Sequence, residues 1–179
     1  MPQADLLAAI QSRVARIAVG ASTVRGRGNK GAAEASRAFL IDLDLTPFGT
    51  ADHRHFARAL NRNTEALRRA LPRTCRKWGL ARKVLDIFLR DALYTHYLRR
   101  RFNLNRSEAF FELPLDSITA TALKRRHGRG KLPRWDGVRK VTPDVNDIFQ
   151  DVALVTAKEL GLERVHLDAL WWSQGRDDR

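Results

Sequence analysis

Apolar positions recur along this chain with helical spacing and almost nowhere with the alternation of a half-buried strand. Over residues 4–19 they fall at Leu6, Leu7, Ile10, Val14 and Ile17, one stripe of a helix. A second helix is predicted over 32–43, then a turn at Pro47-Phe48-Gly49. Thr50, Ala51 and Asp52 open a third through about residue 71, with Phe56, Leu60 and Leu67 facing inward. Pro72 to Gly79 interrupts the rhythm. From Leu80 the chain reads Val84, Leu85, Ile87, Phe88, Leu89, Ala92, Leu93, Tyr94, Tyr97 and Leu98, apolar nearly all round, which predicts one central buried helix ended by Arg99, Arg100 and Arg101. Arg90 and Asp91 within it are expected to pair with other buried polar groups. A short helix over 116–126, a basic loop over 127–133, and a long helix over 143–160 stopped by Gly161 complete the pattern. No internal repeat and no strand pattern emerges, so the expected fold is all-α, one domain over residues 1–179 with a hairpin and central helix at about 72–102.

Composition sharpens this picture. At 179 residues and 44% apolar content the chain is long enough to bury a real core, and the 30% charged residues do not make it disordered. A net charge of +13 attracts polyanions at long range, and nucleic acid is the first expected partner. An acidic membrane surface ranks second, without a basic amphipathic end segment to support it. Cys75 is the only cysteine, which excludes an intrachain disulfide, a four-cysteine zinc site and a cysteine-ligated cluster. His53 and His55 lack a third ligand nearby, so neither metal nor cofactor is expected. No apolar run approaches the roughly 20 residues of a membrane span, and the start lacks a signal pattern; a cytoplasmic monomer is expected. The glycine-rich basic segment 20–31 could cradle phosphate through backbone N–H groups, but it lacks the Walker spacing and reads more readily as a flexible connector.

Two residues stand out as candidate chemistry. Lys83 lies in the first turn of the apolar helix, and Asp116 follows Leu113-Pro114-Leu115 at the start of another. A base leaves a deoxynucleoside through a state with positive charge spread over C1′ and O4′. A fixed carboxylate in a dry pocket stabilises that charge and can orient or deprotonate a water. A lysine desolvated near a helix N-terminus can instead attack C1′ and form a Schiff base. Each has a plainer reading: Asp116 as an N-cap, Lys83 as a side chain reaching solvent or phosphate.

Gly79-Leu80-Ala81-Arg82-Lys83, running into an apolar helix, resembles the second half of the helix-hairpin-helix motif of the DNA glycosylase superfamily, with Ala81 where a second glycine is usual. Pro114-Leu115-Asp116 matches the Pro-x-Asp that opens a later helix there, and Lys83 and Asp116 are thirty-three positions apart, close to the archaeal 8-oxoguanine glycosylase branch. Trp78-Gly79-Leu80-Ala81-Arg82-Lys83, Phe88-Leu89-Arg90-Asp91, Leu113 to Ser117 and Arg164 to Asp168 are also similar, as an ordered set over about residues 20–173, to the α-glutamyl/putrescinyl-thymine pyrophosphorylases of hypermodified phage DNA. The resemblance implies a two-lobed helix-hairpin-helix fold with the site in a cleft between lobes. It also implies an enzyme that binds duplex DNA, flips one nucleotide and excises a modified pyrimidine to leave an abasic site, a chemistry suited to phage defence. Two alternatives stay open: a transferase that installs a modification on hydroxymethyl-pyrimidine DNA, and a helical DNA-binding protein that uses the hairpin only for phosphate.

On this reading Asp116 and Lys83 are the catalytic candidates, and Arg76, Lys77, Gly79, Arg82 and Arg134 the DNA contacts. Trp78, Trp135, Asn146, Gln150 and Asp168 are candidates for the base pocket, since a flipped base stacks on aromatics and is read through its polar edge. Core packing is the plainer role for the tryptophans. A solvated face accounts equally for Asn146 and Gln150, four apart on one helix, and a buried basic partner for Asp168.

Overall fold

Short polar residues start the helices where the apolar stripes predict them. Asp52 accepts from the backbone N–H groups of Arg54 and His55 at 2.7 and 3.1 Å and so caps the helix His53–Ala70. Thr142 caps Pro143–Glu159, with proline at the first helical position. That helix ends in a Schellman motif: Gly161, at φ 66°, donates to Lys158 and Leu162 donates to Ala157.

The computed structural model describes residues 2–20, 23–24, 30–128 and 130–177, and among these it contains helices and turns but no strand. The α-helices are α1 (Pro2–Ala18), α2 (Ala32–Ile41), α3 (His53–Ala70), α4 (Trp78–Tyr94), α5 (His96–Arg101), α6 (Ser117–His127), α7 (Pro143–Glu159) and α8 (Leu167–Asp177). The protein is all-α, as the periodicity predicts. Most of the glycine-rich segment 20–31, and Arg129 of the basic loop, lie outside the described residues. No helix among those described is long and apolar enough to cross a membrane.

Buried apolar side chains form two clusters. The first joins α1 to α5 around Phe48, Phe56, Phe88 and Phe111, and the second joins α6, α7 and α8 around Leu113, Leu123, Phe149 and Leu167. Helix α4 is the centre of the first cluster and also meets α7, as expected of the most apolar helix. Gln11 on α1 ties α2 in place by donating to the carbonyls of Leu40, Ile41 and Leu43 at the α2 C-terminus.

The single helix expected from Leu80 to Arg101 is two. Thr95 has extended backbone between α4 and α5 (φ −86°, ψ 111°), and the Asp91 carbonyl accepts from both its N–H, at 3.1 Å, and its hydroxyl, at 2.8 Å, which closes the last turn of α4. At its other end α4 begins at Trp78, two residues earlier than expected, so Gly79 lies inside its first turn.

Candidate active site

One face of α4 presents Lys83, Ile87, Arg90, Asp91 and Tyr94 to a cleft of about 940 Å³. The spacing is that of a helix stripe, so all five point the same way. The rest of the lining includes Pro114, Asp116 and Ile118 at the start of α6, Trp135, Gly137 and Val138, and Asp168 and Trp172 on α8.

Lys83 and Asp116, thirty-three residues apart in the chain, meet in this cleft with Lys83 Nζ 3.9 Å from Asp116 Oδ2. The lysine side chain is 9% exposed and the aspartate 21%. Burial lowers the Lys83 pKa below the ordinary lysine value, and Asp116 opposes that shift only in part. The amine is therefore easier to deprotonate than a surface lysine.

The two roles weighed for Asp116 fall on different oxygens. Oδ1 accepts from the N–H groups of Ile118 and Thr119 at 2.8 and 3.1 Å, and Asp116 N–H donates to Thr119 Oγ1 at 2.9 Å, a capping box for α6. Thr119 Oγ1 also donates to the Pro114 carbonyl at 3.0 Å. The cap thus immobilises the carboxylate while Oδ2 is turned towards Lys83.

Other expected site residues fall in different places. Trp135 lines the cleft, half-buried, edge-on to Phe149 with ring centroids 5.6 Å apart. Asp168 lines it too, paired with Arg90, which also binds Asp91 at 2.7 Å; the buried basic partner expected for Asp168 is Arg90. Trp78 is outside the cleft lining, half-buried under the Arg82 guanidinium 4.8 Å from its ring centroid.

Asn146 and Gln150 do not reach the cleft. They are 1% and 3% exposed, and they hold the segment before Asp116. Gln150 accepts from Leu113 N–H at 2.9 Å and donates to Leu113 C=O at 2.8 Å, while Asn146 donates to Glu112 at 3.0 Å. The solvated face and the base-reading role both give way to a clamp three residues upstream of the carboxylate.

Arg82 is a further correction. At 4% exposure it is removed from any phosphate, bound instead to Thr64 and Asn61 and 3.5 Å from Glu112. Gly79 is also covered: a Cβ there would stand 2.2 Å from the Val138 carbonyl oxygen and 2.7 Å from Val141 Cβ. Its role is close packing of the 138–141 segment against α4, not an open backbone grip. Arg76, Lys77 and Arg134 are exposed as expected; Arg76 also donates to the Leu71 carbonyl at 2.8 Å, and Arg134 pairs with Asp136 at 2.8 Å. Arg139 donates to the Thr74 carbonyl at 2.9 Å, which brings the basic turn 73–77 beside the basic segment 138–140.

Sequence reasoning missed Glu108 and His166. The Tyr94 hydroxyl and His166 Nδ1 are hydrogen-bonded at 2.9 Å with the rings stacked 5.6 Å apart, and His166 Nε2 lies 3.0 Å from Glu108 Oε1. The only signal in the chain was His166 within the Arg164–Asp168 motif, which does not reveal its partners. Asp86 was missed as well. It is 3% exposed, and neither oxygen has a hydrogen-bond partner.

No family model, curated protein or solved structure matches this chain.

Proposed function

We propose that the protein is a DNA glycosylase that takes a modified pyrimidine out of the duplex and cleaves its N-glycosidic bond in the Lys83–Asp116 cleft. The observation that carries this reading is the buried Lys83 amine 3.9 Å from a carboxylate oxygen held in place by a capping box. In a cleft of about 940 Å³ there is room for a base larger than an ordinary pyrimidine.

The chemistry follows from the pair. As the bond from C1′ to the base breaks, its electrons leave with the base, which takes up a proton, and positive charge grows on C1′ and O4′. Asp116 Oδ2 opposes that charge without having to reorganise, because Oδ1 is fixed by two N–H groups. Either water, losing a proton, or the neutral Lys83 amine then bonds to C1′. The amine route gives, after ring opening, a Schiff base.

The fold reading belongs to the same proposal. The two core clusters on either side of the cleft stand for the two lobes, and α3, the turn at 71–77 and α4 stand for the hairpin. Exposed Arg73, Arg76, Lys77 and Lys140 at the base of α4 would hold duplex phosphates.

Borohydride trapping on duplex DNA carrying a hypermodified pyrimidine tests the roles. If the amine attacks, wild-type protein becomes covalently linked to DNA and Lys83→Gln does not. Asp116→Asn, which can still cap α6, should form abasic sites on the order of a hundredfold more slowly. Abasic strands without trapping would assign the attack to water. Full activity in a folded Asp116→Asn protein would leave the carboxylate as a cap alone and overturn the proposal.

A further inference from the structure

The cleft has a second polar station that the excision chemistry does not use. Tyr94 lines it eleven residues after Lys83 on the same α4 stripe, ~16 Å along the helix axis at 1.5 Å per residue. An unsubstituted pyrimidine with C1′ at Asp116 is much shorter than this distance. Tyr94 can therefore meet only the outer part of a large substituent, or of another extended ligand.

Its environment decides what it can meet. The Glu108 carboxylate accepts only donors, so His166 Nε2, 3.0 Å away, carries the ring proton. In the tautomer with its one proton on Nε2, His166 Nδ1 accepts a hydrogen bond from the Tyr94 hydroxyl at 2.9 Å. The stacking of the two rings, 12° apart, fixes that direction. With its proton so directed, the phenol oxygen faces the ligand as an acceptor. Tyr94 is 48% exposed and lines the cleft.

The surrounding charge agrees. Asp91 and Asp168 share the single guanidinium of Arg90, and Glu108 meets Arg99 at 3.3 Å. Around His166, three carboxylates face two guanidiniums. Such a station attracts ammonium or hydroxyl donors and repels carboxylate or phosphate.

We propose that Tyr94, oriented by His166 and Glu108, is the specificity-determining residue that accepts a hydrogen bond from a donor group, hydroxyl or ammonium, at the outer end of the base's substituent. This rests on the reading of the cleft as a modified-base pocket. Tyr94 touches the ligand; His166 and Glu108 act through it as positioning residues.

The test is equilibrium binding in the Asp116→Asn background, where the base stays attached. The probes are duplexes carrying one uracil with a 5-substituent of fixed length ending in an amine, a hydroxyl, a methyl or a carboxylate. Amine or hydroxyl ends should bind about tenfold tighter than the methyl end, and the carboxylate end weakest. Tyr94→Phe should bring the donor-to-methyl ratio close to one, and His166→Gln should reduce it. Preference for the amine alone or the hydroxyl alone identifies the donor. An unchanged ratio in Tyr94→Phe, no donor preference in the parent, or tightest binding of the carboxylate overturns the inference. Donor preference lost with Tyr94→Phe, but without base release by wild-type protein, would sink the glycosylase reading and keep this one. Base release without donor preference would do the reverse.

Discussion

Asp116 and Asp86 show how far a residue's neighbours decide its role. Both are aspartates close to basic residues, yet Asp116 has a partner for each oxygen and Asp86 has none. Burial pushes the Asp86 pKa well above the ordinary carboxylate range; Glu112 adds to the shift, and Arg82 and Arg164 oppose it. A carboxyl raised in this way binds more protons folded than unfolded, so the protein loses stability as pH rises from the ordinary carboxylate range through the raised value. Asp86→Asn removes that loss. It should stabilise the protein at about pH 8 by about 1–3 kcal/mol, the usual cost of an unsatisfied buried group, and the gain should shrink towards pH 4. Thermal melts across that range check it. A lower Tm at pH 8 would mean Asp86 is ionised and held by its basic neighbours, and a gain that does not change with pH would mean its pKa is not raised. None of this was legible in the sequence, where Asp86 is one polar position in an apolar helix and its neighbour Glu112 is twenty-six residues away.

Local pattern gave most of the elements, because each carries its own start, stripe and stop. The caps Asp52, Asp116 and Thr142 and the stop at Gly161 are all short-range signals. The joint at Thr95 escaped because its apolar neighbours continue the helical rhythm through Leu98 and only the threonine hydroxyl marks the break. Gly79 escaped for a different reason. Its position suggested an open turn, but the segment that covers it lies some sixty residues further on, at Val138 and Val141. This gives a prediction whose sign is informative. Gly79→Ala in an uncovered helix should stabilise by up to about 1 kcal/mol through helix propensity. Against the Val138 carbonyl at 2.2 Å it should instead destabilise by about 1–3 kcal/mol, as overpacking does. Chemical denaturation measures the difference, and a stabilised variant would mean the 138–141 segment does not sit on α4.

At the scale of the whole molecule, the fold brings together what the chain keeps apart. The candidate pair Lys83 and Asp116, named from sequence because one follows a hairpin-like turn and the other a proline, share one cleft with Trp135 and Asp168. Asn146, Gln150 and Arg82 were expected to touch DNA or the base and lie in the interior instead; polar type and helical spacing do not reveal which face a residue turns to the core. The net charge of +13 points to a polyanion, and exposed Arg73, Arg76, Lys77 and Lys140 gather beside the α4 N-terminus. What the cleft does to that polyanion is the central claim. Mass spectrometry of the small molecules released by the purified protein from phage DNA with hypermodified pyrimidines, and from unmodified DNA, tests it most directly. The account predicts the free modified base from the first, at least a hundredfold less from Asp116→Asn, and negligible cytosine, thymine or uracil from the second. Release of pyrophosphate without free base, or efficient release of uracil, 8-oxoguanine or alkylpurines from otherwise normal DNA with nothing from hypermodified DNA, would contradict it.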